Sequence, residues 1–299
     1  ICKVAVKVLA QHLSSDVSAL ARFQREAEIA SQLHHPHVVH ILDFDTTESG
    51  EPYIVMEFLD GEPLSQYIDR VGQLPLLRAL QVVNQIAWGL SAAHQAGVVH
   101  RDLKPDNVFL LRMQDDSIFV KLLDFGISKR VEGHRKVTRE FDVLGTPDYM
   151  APEQAMGLTA KVDHRADQFA LAAMSYELFS GQLPFPADSV GEILRKVVSE
   201  DPPLLSSFTD VSEEIAHVIQ KGLSKSPDDR YESITAFAMA LASAVGRIPT
   251  PPPYGYAPPG ESLPVTDVTK GQFGLTERMA SHYSAAPPPV ATTTPAPVR

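Results

Sequence analysis

The sequence predicts an α+β chain of two unequal lobes, and three observations carry that expectation. The β-branched, alternating runs Val4-Ala5-Val6-Lys7-Val8 and Tyr53-Ile54-Val55-Met56-Glu57-Phe58 fall within residues 1–58, where period-two patterning reads as strand. From Pro63 to Ala96, and again from Asp163 to about Ala244, apolar residues recur at helical spacing, as buried helices require. Beyond Arg247 the composition turns to Pro, Thr, Ala and Gly, with half of the chain's 24 prolines. That stretch buries too little apolar surface to offset ordering entropy. The expected division is a small truncated β-lobe (1–58), a mainly helical lobe (59–246) and a proline-rich linker or tail (247–299).

Composition narrows the function classes. With 299 residues and 44% hydrophobic content the chain can fill a substantial core. Its single cysteine, Cys2, excludes an internal disulfide framework and points to a reducing, cytoplasmic compartment. A net charge of −11 gives no reason to expect nucleic acid or an anionic membrane as partner. No apolar run is long enough to span a bilayer. Membrane attachment is expected only through segments outside this chain.

Taken in order, the first strand puts Ala5 and Lys7 on one face and the valines on the other. Leu20, Phe23, Ala27, Ala30 and Leu33 mark an amphipathic helix over about 17–33. Glu26 shares the inward face of Phe23 and Ala30, while Glu28 sits with the polar residues of the wet side. Pro36 interrupts the cluster His34, His35, His37 and His40, and Val38–Leu42 resumes as strand. A turn there scatters the imidazoles, so they read as turn and packing residues rather than metal ligands. A hairpin at Glu48–Glu51 leads to the strand 53–58, Asp60-Gly61 breaks it, and Pro63 opens a short helix to Val71. A long apolar helix, Leu76–Ala96, stops at Gly97. After the next loop come a hairpin near Asp115-Asp116 and the strand-like run Phe119–Leu123. Ser128–Met150 loses periodicity. From Asp163 helix follows helix, divided at Gly181, Asp201-Pro-Pro and Ser226–Arg230.

The densest chemistry lies in His100-Arg101-Asp102-Leu103-Lys104-Pro105-Asp106-Asn107, followed by Asp124-Phe125-Gly126. An acid, a base and an amide share one loop, and a second carboxylate ends the next strand. These residues resemble the eukaryotic-type Ser/Thr protein kinases, most closely the bacterial members. The resemblance runs over roughly 1–245. It rests on V-A-V-K at 4–7, Glu26, H-R-D-L-K-P-D-N at 100–107, D-F-G at 124–126, G-T-P-D-Y-M-A-P-E at 145–153, Asp167 and Arg230.

A two-lobed protein-kinase-like fold and phosphoryl transfer from ATP to Ser or Thr hydroxyls of proteins are what this resemblance implies. That chemistry demands positioning and charge neutralisation more than covalent work. Asp102 is then the base that receives the substrate hydroxyl's proton. Lys104, which marks the Ser/Thr form of the loop, neutralises the γ-phosphate. Asn107 and Asp124 hold Mg²⁺. The ATP-contacting set is Ala5, Lys7 with Glu26 as its partner, Met56, the backbone of Glu57 and Leu59, Phe109 and Asp124. Arg101 pairs with a phosphorylated activation loop. Thr138 is the candidate phosphosite and self-phosphorylation in trans its source. Thr146 contacts Asp102 and Lys104. Glu153 and Arg230 tie the activation segment to the last helices, and Asp167 caps the catalytic-loop backbone. Ala172 stands where the family commonly has Gly. Glu62 and Asp106 flank the peptide groove, where they either favour a basic substrate residue or are solvated carboxylates.

One departure is larger. The family's glycine-rich loop lies two strands ahead of V-A-x-K, and here only three residues precede Val4. The expectation is that further sequence lies upstream. The alternative is a pseudokinase used as a binding scaffold. A small-molecule kinase of the same fold is a third reading, opposed by the A-P-E and G-T-P-x-Y segments.

Overall fold

A computed structural model describes residues 3–8, 28, 31–48, 51–113, 117–125 and 147–247. All fall in one compact unit, Ile1–Pro252, and the second unit, Pro253–Arg299, lies outside the described residues. The helix expected over 17–33 is likewise almost wholly outside them, Glu26 included.

The first sheet contains β1 (Val4–Val8), β2 (Ile41–Thr46) and β3 (Pro52–Glu57) in the order β1-β3-β2, all antiparallel. Register pairs Ala5 with Met56 and Lys7 with Ile54. The valines of β1 look outward, Val4, Val6 and Val8 being 43%, 56% and 54% exposed. The strand expected at Val38–Leu42 begins only at Ile41, because the preceding backbone is committed elsewhere. Val39 N–H donates to Leu122 O (2.9 Å) and Leu122 N–H to His37 O (2.9 Å), so Val38 bridges Leu122 in parallel. Those bonds stitch the first sheet's approach to the second sheet.

The second sheet is β4 (Gly61–Pro63), β5 (Val108–Arg112) and β6 (Ile118–Leu122), again antiparallel. Between β4 and β5 run α1 (Leu64–Val71) and α2 (Leu76–Gln95). Gly89 on α2 allows the helix to approach β6, since a Cβ there would lie 2.8 Å from Leu122 Cδ1 and 2.9 Å from His37 O.

Helices make up most of the remainder: α3 (Pro152–Ala155), α4 (His164–Ser180), α5 (Val190–Ser199), α6 (Glu213–Gly222) and α7 (Ile234–Ala244). Asp163, Ser189, Ser212 and Ser233 cap α4 to α7, each side chain accepting a first-turn amide. Thirteen of the 17 residues of α4 are buried, which makes it the central helix rather than a surface one. Phe169, Phe179, Leu171, Met174 and Leu178 of α4 join Ile86, Leu90, Ile219 and Phe237 in the core. Ala172 sits where Gly222 leaves room: a Cβ on Gly222 would come within 2.7 Å of Ala172 Cβ. The Ala172 methyl is thus accommodated by the missing one at 222.

Candidate active site

The loop between α2 and β5 is set by hydrogen bonds from three directions. Asp167, 1% exposed near the start of α4, accepts from His100 N–H and Arg101 N–H (2.8 Å each). Its Oδ2 also accepts from His94 Nε2 on α2 (2.7 Å). Buried His100 donates through Nε2 to Leu123 O (2.9 Å) while its Nδ1 accepts from Asp102 N–H (3.3 Å). Those two contacts fix its tautomer. Its ring packs on Phe125, centroids 4.8 Å apart. Leu123 N–H in turn donates to Asn107 O (2.8 Å). The segment carrying Asp124 is therefore bonded directly to the loop carrying Asp102.

Within the loop, Lys104 Nζ lies 3.6 Å from Asp102 Oδ2. Asn107 Nδ2 donates to Asp102 O (2.7 Å), which leaves the Asn107 amide oxygen as its acceptor atom. Arg101 adopts φ 64° and Asp124 φ 51°, left-handed values that non-glycine residues seldom take. Such strain gathers at functional sites whose surroundings over-determine the backbone.

Across the gap between the sheets, Lys7 Nζ donates to Asp124 Oδ2 at 2.6 Å. The pair is solvent-accessible, with side chains 45% and 40% exposed. Ala5, Met56, Leu59 and Phe109 are half-buried. Phe109 on β5 pairs in register with Lys121 on β6. Glu57 is occupied more heavily than its sequence position indicates. Its N–H donates to His40 O (3.1 Å), and its Oε1 accepts from Lys121 Nζ (2.6 Å) and His40 N–H (2.8 Å). The Glu57 N–H is thus already bonded within the chain, and of its backbone only the carbonyl could belong to the expected adenine-binding edge.

The histidine cluster surrounds this ion pair. His37 is buried, donates through Nδ1 to Val120 O (2.9 Å), and packs on Phe119 and Trp88. Burial is the main cause that pushes its pKa down to about 4. His35 and His40 are lowered too, chiefly by burial.

On the far side of the loop, Arg230 forms a bidentate pair with Glu153, 2.9 and 2.8 Å, with side chains 0% and 4% exposed. The guanidinium also donates to Ser224 O, Arg165 O and Lys225 O, so its donors are well matched. A cavity of about 350 Å³ opens beside Lys104, with Asp69, Asp106, Asp148 and Glu177 on its wall. Burial, then the neighbouring carboxylates, holds the Glu177 carboxyl above its ordinary pKa; Glu177 accepts from Tyr149 OH at 2.6 Å. Glu62, expected to flank the peptide groove, pairs with Arg70 on the surface.

Among the described residues, Lys7 thus meets Asp124, and Lys104 and Asn107 meet Asp102, the two groups being joined through the Leu123–Asn107 backbone bond; Asp167 holds the same loop, and Glu153 and Arg230 pair with each other. Glu26, Gly126, Thr138 and Thr146 lie outside the described residues. Sequence reasoning missed the side-chain role of Glu57 and its partner Lys121, and also Gln154. A strand pattern with a lone polar residue on a buried face was the available signal for Lys121.

Oxygen donors, an amide and a carboxylate, suit a hard cation such as Mg²⁺. Among the described residues no group of three or more His, Cys, Asp or Glu could hold a metal. The side chains here would therefore fill only part of an ion's shell. Among the same residues no helix is long and apolar enough to cross a membrane.

Comparison with known proteins gives the family. The family described as "Protein kinase domain" matches residues 2–241. Serine/threonine-protein kinase Pkn1 of Myxococcus xanthus is 43% identical over 244 residues, covering 81% of this chain and 34% of Pkn1. The chain therefore spans about a third of that relative's length. Among solved structures, the PknI kinase domain of Mycobacterium tuberculosis superposes with a TM-score of 0.63 at 34% identity, covering 81% of this chain and 85% of that one. Rad53 in complex with AMP-PNP also gives a TM-score of 0.63, at 25% identity over 79% of this chain and 56% of that one.

Proposed function

This chain belongs to the protein kinase domain family, and on that premise we propose that it transfers the γ-phosphoryl group of ATP to Ser or Thr hydroxyls of proteins. The observation that carries the reading is the Lys7–Asp124 contact, 2.6 Å and open to solvent, facing a loop that presents Asp102, Lys104 and Asn107. Two charges that neutralise each other at an accessible cleft are positioned to exchange that contact for a ligand's.

In the reaction, the substrate hydroxyl oxygen bonds to the γ-phosphorus as the bond from phosphorus to the β–γ bridging oxygen breaks. ADP departs, and the hydroxyl proton passes to the Asp102 carboxylate. Asp102 orients the hydroxyl. Lys104, beside it, sets positive charge against the transferring phosphoryl oxygens. Lys7 takes the α- and β-phosphates. Asn107 and Asp124 would hold Mg²⁺, which when bound neutralises phosphate charge. Ala5, Met56, Phe109, the Glu57 carbonyl and the Leu59 backbone line the adenine's place. Support for nucleotide binding comes from the AMP-PNP held by a similarly folded protein.

The substrate is a polypeptide in this reading, with the carboxylate-walled cavity beside Lys104 matching a basic residue near the target hydroxyl. Autophosphorylation in trans at Thr138, read by Arg101, and a substrate contact by Thr146 complete the proposal, as does a cytoplasmic location. Residues 1–58 and 59–246 form its two lobes, and 247–299 a linker.

Transfer of labelled γ-phosphate by the full protein to itself and to Ser/Thr peptides, with phosphoamino-acid analysis, tests this. Phosphoserine or phosphothreonine is expected, and Asp102→Asn should lower kcat by about 10²- to 10⁴-fold with the melting temperature unchanged. An inactive wild type, or an Asp102→Asn variant as active as wild type, contradicts it.

A further inference from the structure

Gln154 stands in the third position of the short helix α3, directly after Glu153. Its side chain is spent on two backbone groups. Oε1 accepts from Ala151 N–H at 3.1 Å, the amide just ahead of the helix. Nε2 donates to Arg101 O at 2.8 Å, far away in sequence. One partner is a donor and the other an acceptor, so the orientation of the amide is dictated by what it meets.

Arg101 is also the residue whose φ of 64° an arginine side chain disfavours. Its N–H is held by Asp167 Oδ1 at 2.8 Å, and its carbonyl by Gln154. Rotation about φ moves one of those groups relative to the other, so two anchors, one on each side of the Cα, determine it. Remove one anchor and the backbone is free to relax toward an ordinary conformation. The peptide that would then turn is the one joining Arg101 to Asp102.

We propose that Gln154 is a positioning residue for the phosphoryl-transfer reaction. It clamps the Arg101–Asp102 peptide from the side opposite Asp167 and so fixes where the Asp102 carboxylate points. The same side chain links that peptide to the start of α3, whose next-door Glu153 is locked to Arg230. Order at the end of the activation segment is thereby transmitted to the base by a single amide. The inference rests on the kinase reading above.

The test compares full protein carrying wild-type Gln154, Gln154→Met and Gln154→Glu, each brought to the same phosphorylation state. Methionine keeps the length and removes both bonds. Glutamate keeps an acceptor for Ala151 N–H and removes only the donor to Arg101 O. Both variants should lose about 10- to 100-fold in kcat, the scale of a small misplacement of a reacting group. KM for MgATP and the melting temperature should stay near wild type, because the Lys7–Asp124 side is untouched. A kcat within about twofold of an active wild type in either variant overturns the role of Gln154. So does a loss of kcat matched by loss of nucleotide affinity and of folding, which is what a purely structural residue would give. A wild type that transfers no phosphate is a different result, and overturns the activity on which the role rests.

Discussion

The gap between the two sheets and the helical region hold their charges in opposite ways. In the first, Lys7 and Asp124 meet at 2.6 Å with side chains 45% and 40% exposed. In the second, Glu153 and Arg230 meet at 2.8 Å with side chains 4% and 0% exposed. An exposed pair contributes little to stability, on the order of 0.2–1 kcal/mol, and its members can part readily to meet a ligand. A buried one cannot lose a partner without leaving an uncompensated charge. The contrast extends to the surrounding residues: the outward valines of β1 stand against a central helix α4 that is almost wholly enclosed. What differs is the task. In the proposed reaction the exposed pair is the one that exchanges its contact for a ligand's, and the buried pair belongs to the frame.

The largest effect that would break this comparison is on the buried pair. Glu153→Ala strands the Arg230 guanidinium, and denaturant unfolding should report a loss of about 3–5 kcal/mol. A loss below about 1 kcal/mol would place Glu153–Arg230 in the same class as the exposed pair and erase the distinction.

A smaller effect comes from pH. His37 titrates at about 4 in the folded chain against an ordinary value of 6.5. Between those values the unfolded chain binds a proton that the folded chain does not, so stability falls as pH drops through that window and levels off below about 4. The slope attributable to this group is at most about 1.4 kcal/mol per pH unit. Urea unfolding of His37→Asn beside wild type, at pH values spanning the window, should show a shallower acid dependence in the variant. Equal slopes would mean that the packing around Glu57 and Lys121 is not sealed from protons.

How much of this was legible beforehand depended on whether a function is written contiguously. Asp102, Lys104 and Asn107 lie on one loop, and Asp124 follows the next strand, so the motifs these residues share with the protein kinases group them before any fold is known. The helices from Asp163 onward were readable too, because their Ser and Asp caps and apolar period are local features. The start of β2 was not. Val38 and Val39 carry strand propensity, yet their backbone bonds go to Leu122 rather than into the first sheet, and propensity does not name a partner. Gln154 and the Glu57 carboxylate escaped notice for the same reason. Each acts on backbone brought near only by folding, and a lone Gln after Pro-Glu or a Glu at a strand end carries no periodic mark. The match between Ala172 and Gly222 required the packed helices themselves.

The smallest stability change belongs to the exposed pair, and it accompanies the clearest functional one. Lys7→Met should shift unfolding by no more than about 1 kcal/mol. Titrating MgATP into that variant and into wild type by calorimetry measures whether Lys7 seats the nucleotide. Nucleotide affinity should fall at least about tenfold, the loss of one charge-assisted contact, while the fold stays intact. Unchanged affinity, or a variant that unfolds as Glu153→Ala is expected to, would contradict the assignment of the exposed pair as the nucleotide's seat.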